Sequence, residues 1–78
     1  MTDAQIRARL EKREKVETIV RGIVNWIRKV EVDAVWVRSE LTGRDRRIRF
    51  SEIRKWSAKG GNGRIRHALA RAVGISGA

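Results

Sequence analysis

No cysteine occurs anywhere in these 78 residues, and for a chain this short that omission is the tightest constraint on the fold. A domain of this size hides only about 60–65% of the surface that its unfolded chain exposes. Without disulfides, its stability must come from one compact apolar core. The hydrophobic share of 41%, with Trp26, Trp36, Trp56 and Phe50 included, suits one such core and is too high for a disordered polycation. The sequence therefore predicts a single small domain over residues 1–78. Thiolate chemistry and cysteine metal sites are excluded, and one histidine, His67, makes a poor start for a zinc site. No cofactor or metal is expected.

Charge is the next constraint. Nineteen Lys and Arg stand against nine Asp and Glu, a net charge of +10. Residues 1–43 hold nine basic and seven acidic side chains, whereas residues 44–78 hold ten and two. Such an excess attracts polyanions, and it places the partner surface in the second half of the chain. Arginine dominates there, and its planar fork suits phosphate and guanine better than a point charge does.

The first segment, "TDAQIRARLEKREKVETIVRGIVNWIRKV", opens with Thr2 and Gln5 at capping-box spacing. Val16, Val20, Ile23, Ile27 and Val30 then follow a 4-3-4-3 spacing. That periodicity predicts one long helix over residues 3–30, with Trp26 near its apolar face. Its two clean heptads also raise the prospect of a homodimer through this helix. Arg7 and Glu11, like Glu17 and Arg21, sit at i,i+4 pairing distance.

Residues 30–50 change character. Val32, Val35, Trp36, Val37, Ile48 and Phe50 are β-branched or aromatic, and "TGRD" supplies turn chemistry. A β-hairpin is predicted over 33–50, with strands near 33–41 and 46–50. The competing reading is a second helix ending at Gly43. In "RRIRF", an inward Ile48 and Phe50 would leave Arg47 and Arg49 facing outward, near a basic tip at Arg44 and Arg46.

The last third reads as two short helices. Ser51 is a candidate cap for a helix running through Ala58, and Asn62 for one over 63–73 with Ile65, Leu69, Ala72 and Val73 as its buried stripe. Gly74 followed by Ile75 reads as a glycine C-cap with its apolar contact. The predicted class is thus α+β: a long N-terminal helix, a β-hairpin and a helix-turn-helix-like pair over residues 51–75. "KGGNG" has neither the lysine nor the hydroxyl at the positions where a phosphate-binding P-loop requires them. A helix-turn-helix would put the start of its second helix into a major groove. That reading nominates Asn62, Arg64, Arg66 and His67, with Arg71 toward the backbone and Arg44, Arg46, Arg47, Arg49, Lys55 and Lys59 as further phosphate contacts. "IRKW" and "NGRI", residues 53–56 and 62–65, resemble the Trp and X-Gly-Arg elements of bacterial nucleoid silencers, although the proline usual after that Gly-Arg is absent. The resemblance implies a minor-groove role for Arg64.

Seven of the nine carboxylates lie in residues 3–40, leaving Asp45 and Glu52 in the basic half, and neither Ser51 nor Ser57 has a base at recognisable spacing. No enzyme is expected. No run approaches the 18–20 apolar residues of a membrane span, and the start lacks a signal-peptide core. The expected location is cytoplasmic, or nucleoid-associated in a bacterium, with no membrane partner. The expected function is nucleic-acid binding, to double-stranded DNA through residues 44–71, as a transcriptional regulator or architectural protein. RNA or ribosome binding is one alternative, and an adaptor for an acidic protein is another. Of the tryptophans, Trp36 is the candidate for base stacking.

Overall fold

The structure is a computed structural model that describes residues 1–56 and 63–75. Its elements are α1 (Asp3–Glu11), β1 (Lys15–Glu17), β2 (Val24–Val30), β3 (Ala34–Ser39), β4 (Asp45–Arg49), α2 (Phe50–Lys55) and α3 (Ile65–Ala72). The strands form one antiparallel sheet in the order β1-β2-β3-β4. The α+β class agrees with the sequence. The long helix over 3–30 does not form.

Helix α1 begins as expected. Thr2 Oγ1 accepts from the Gln5 N–H at 3.2 Å, and Gln5 Oε1 accepts from the Thr2 N–H at 2.9 Å. Ile6 and Leu10 are its buried residues, and Arg7 pairs with Glu11 at 2.8 Å. The helix ends at Glu11, and the chain turns into β1 and β2. The physical reason is the density of β-branched residues from Val16 to Val30, which stiff χ1 preferences favour on a pleated surface. Gly22, at φ +62°, supplies the left-handed residue that the connection needs. Thr18, 4% exposed, pins that connection: its N–H donates to the Ile23 carbonyl at 3.1 Å, and its hydroxyl accepts from the Ile23 N–H at 3.0 Å. The 4-3-4-3 pattern is therefore not a helical stripe. Val16, Ile27 and Val30 reach the core from two strands, while Val20 is 65% exposed in the connection. With the helix goes the seam on which the predicted dimer depended.

Strands β3 and β4 do pair antiparallel, with Val35 opposite Ile48 and Trp36 opposite Arg47. They are the inner and outer members of a four-stranded meander, however, and not a free-standing hairpin. The alternative of a second helix ending at Gly43 is also overturned, although Gly43 does turn the chain at φ +70°. Pairing between β2 and β3 is regular from Asn25 to Ile27 and resumes at Lys29, so Arg28 is the extra residue of a β-bulge.

Helix α2 follows β4 directly and buries Phe50 and Ile53. Its N-cap is Arg49 instead of Ser51, and it ends at Lys55, short of the predicted Ala58. Helix α3 has Arg64 at its N-cap, with no side-chain cap. Its expected stripe is in place: Ile65, Leu69 and Val73 are buried and Ala72 is partly so. Its end matches the expected glycine cap, because the Ile75 N–H donates to the Ala70 carbonyl at 2.9 Å and the Gly74 N–H to that of Arg71 at 3.1 Å. These are the two bonds of a Schellman motif.

All three helices contribute to the core on one face of the sheet. Ile6, Leu10, Phe50, Ile53, Leu69 and Val73 pack there with Val16, Val35, Val37 and Ile48. By strand alternation the opposite face carries Trp26 and Arg38, Trp36 and Arg47, and Lys15. Trp26, Trp36 and Trp56 are each half-buried and stand outside the core cluster.

Candidate nucleic-acid interface

The basic residues nominated from sequence divide by location. The β3–β4 connection is held by its own polar groups: Ser39 Oγ accepts from the Leu41 and Thr42 N–H groups at 3.2 and 3.4 Å, and Thr42 Oγ1 from that of Arg44 at 3.3 Å. This fixed connection presents Arg44 and Arg46 beside the start of α3, where Arg64 and Arg66 emerge. Together the four arginines line one groove of about 670 Å³, with Thr18, Asn25 and Asp45 also in its wall. Residues 20 positions apart in sequence thus meet on one surface.

The groove keeps its positive charge. Among the described residues, Arg44, Arg46 and Arg64 form no ion pair, and Arg66 pairs with Glu52 at 3.3 Å. The groove's carboxylate, Asp45, is held by Arg38 at 2.7 Å. The Arg38 hydrogen bond keeps the Asp45 carboxyl below the usual aspartate range, with further help from the positive charge of Arg28, and the same contact raises Arg38. Asp45 is therefore ionised and engaged at neutral pH.

Trp56, the C-cap residue of α2, organises the α3 side. The Arg64 guanidinium lies over its ring at 4.8 Å and that of Arg66 at 5.7 Å. His67 meets the same ring edge-on, with centroids 4.7 Å apart and planes at 86°. Cation–π attraction contributes about 0.5–1 kcal/mol at exposed sites, and here it also restricts the rotamers of two long side chains. The Arg66 Nε is buried without a hydrogen-bond partner among the described residues.

The other nominated residues lie elsewhere. Arg47 is on the opposite face of the sheet, bonded to Glu31 at 2.9 Å and to Asp33 at 3.3 Å. Its hydrogen bond holds the Glu31 carboxyl below the ordinary glutamate range, with the Trp36 indole N–H adding to the effect, and raises Arg47 in turn. Arg49 caps α2 from the exposed end of β4, and Lys55 is exposed in the last turn of α2. Arg71 donates to the Glu17 carbonyl at 2.8 Å, beside β1. Lys59 and Asn62 lie outside the described residues. His67 is 8% exposed, which places it in the packing of α3 and not on an outer surface. Ile65 and His67 to Ala70 are all buried, so α3 itself presents only Arg71 and parts of Arg66 and Ala72, with Arg64 exposed at its start.

Sequence reasoning missed Trp26, Lys15 and Lys29 on the open sheet face, because the helical reading of residues 3–30 assigned Trp26 to the core. The β-branched density of residues 16–30, with Gly22 within it, was the signal that could have found them. Among the described residues no group of three or more His, Cys, Asp or Glu is placed to hold a metal ion, and no helix is long and apolar enough to cross a membrane. Comparison with protein-family models, curated proteins and solved structures finds no match.

Proposed function

We propose that this chain binds nucleic acid, with double-stranded DNA as the expected partner, by clasping a phosphate backbone between the β3–β4 connection and the start of α3. The observation that supports this most is the groove in which Arg44, Arg46, Arg64 and Arg66 come together, with its nearby carboxylate already occupied by Arg38. Packing gives no reason to gather four guanidinium groups, whereas a polyanion does. Trp56 holds Arg64 and Arg66 in defined positions, which lowers the ordering cost of binding. Contact through arginine forks to phosphates gives grip and orientation with little base reading. A regulatory or architectural role on DNA follows from such binding.

Titration with a DNA duplex across a range of salt tests this. If four phosphates are engaged, log K falls against log salt with a slope of about −3.6. Arg44→Ala, Arg46→Ala and Arg64→Ala should each weaken binding uniformly across sequences and reduce the slope by about 1. Unchanged affinity and slope in all three variants would remove the groove from the site. Tighter binding to structured RNA than to duplex DNA favours the RNA reading. Negligible affinity for both at physiological salt favours an acidic protein partner.

A further inference from the structure

The sheet has a second surface that the groove does not use. On the face away from the helices, Trp26 of β2 stands opposite Arg38, and Trp36 of β3 stands two residues along from Arg38. The two tryptophans are thus diagonal neighbours on adjacent strands, about 7–8 Å apart at the backbone. This is roughly twice the 3.4 Å step of a stacked strand, a separation that suits two bases pulled out of their stack. Both rings are half-buried, so each lies against the sheet and still presents surface.

Their surroundings combine fixed and available charge. Trp36 is anchored by its indole N–H, which donates to Glu31 Oε1 at 2.9 Å, and Glu31 is itself held by Arg47. Trp26 has the Lys15 ammonium 5.6 Å from its ring centroid. Lys29 is exposed opposite Trp36, and Arg28 is exposed in the adjoining bulge. Among the described residues, Lys15, Arg28 and Lys29 form no ion pair, whereas Glu31, Asp33 and Asp45 are all taken up by Arg47 and Arg38. Glu17, on the same face of β1 as Lys15, and Glu40, whose N–H donates to the Val24 carbonyl just past β3, are exposed carboxylates without an ion pair among the described residues, and both lie toward one end of this face. Available positive charge therefore borders two aromatic rings on an open sheet.

We propose that this face binds single-stranded nucleic acid, with Trp26 and Trp36 stacking on successive unpaired bases and Lys15, Arg28 and Lys29 meeting the phosphates. Aromatic stacking accepts any base and a basic border follows the backbone, which together make a sequence-tolerant single-strand surface. A duplex keeps its bases stacked and hidden from such rings, so this site and the groove select different forms of nucleic acid. The proposal does not depend on the groove.

The test measures binding of fluorescein-labelled dT10 and rU10 by anisotropy, with the fold of each variant checked by circular dichroism and urea denaturation. Trp26→Leu and Trp36→Leu keep an apolar cover on the sheet and remove the π surface. Each should weaken binding roughly 5- to 150-fold, while Trp26→Phe and Trp36→Phe retain most of the affinity. Lys29→Glu, at an exposed position, should weaken binding several-fold with the fold intact. Arg44→Ala/Arg64→Ala should leave dT10 and rU10 binding in place while duplex binding falls. Binding to either oligonucleotide with this pattern supports the proposal, and comparison of the two identifies the preferred sugar. Folded Leu and Lys29→Glu variants that bind as the wild type does would overturn it, as would loss of single-strand binding in Arg44→Ala/Arg64→Ala. If the tryptophan variants behave as expected while duplex binding is absent, the groove reading fails alone.

Discussion

Gly74 and Gly43 both adopt left-handed backbone, at φ +80° and +70°, yet they meet different surroundings. A Cβ at position 43 would have nothing within 4 Å, whereas at position 74 it would lie 2.7 Å from Arg9 Nη1. That nitrogen donates to the Val73 carbonyl at 3.0 Å and ties α1 to the end of α3. Gly43→Ala should therefore cost about 1 kcal/mol, from backbone strain alone. Gly74→Ala should cost about 2–3 kcal/mol, because Arg9 must also give up its bond. Urea denaturation of the two variants checks the difference. Glu31 gives a pH prediction at the same scale. Its folded-state pKa is depressed by bonds from Arg47 and Trp36, so the stabilisation is present above the unfolded value and is lost as pH falls through the folded one. The difference in melting temperature between wild type and Glu31→Gln should accordingly be present at neutral pH and shrink on acidification below about pH 4.3.

At the scale of elements, the coupling of α2 to α3 passes through Trp56, which meets Arg64, Arg66 and His67. Trp56→Ala should lower duplex affinity about 2- to 5-fold by releasing the two arginines, and Trp56→Phe should restore most of it in the same titration. The elements legible in the sequence were those with local chemistry: the Thr2 and Gln5 box, the pairing of the strands on either side of Gly43, the apolar stripe of α3 and the Gly74 cap. Strands β1 and β2 were not legible, because β1 is three residues long and is defined by its pairing with β2. Val16 to Val30 also matched a heptad by coincidence of spacing, and only β-branched density and Gly22 argued otherwise. The candidate site was legible as a concentration of arginine in residues 44–78. That Arg44 and Arg46 meet Arg64 and Arg66 while Arg47 and Arg71 do not is a property of the tertiary fold. His67 was misplaced because its helix is packed on more sides than a single apolar stripe implies.

For the molecule as a whole, one core joins every helix to the sheet, so damage at one point is felt throughout. Leu69 is fully buried at the middle of α3. Leu69→Ala should cost about 2–5 kcal/mol, a large part of the roughly 5–15 kcal/mol that holds a typical domain folded. A single cooperative urea transition with a lowered midpoint is the expected result, with duplex and single-strand binding lost together as the chain unfolds. The meander also leaves two outer strands, β1 with three residues and β4 with the sequence DRRIR. An unpaired strand is a template for addition of a neighbour's backbone, and brevity and clustered charge are the two means by which proteins disarm it. β1 has the first and β4 the second. Concentrated solutions should therefore resist the edge-to-edge polymerisation that threatens open sheets, and the open aromatic surface can stay uncovered without seeding fibrils.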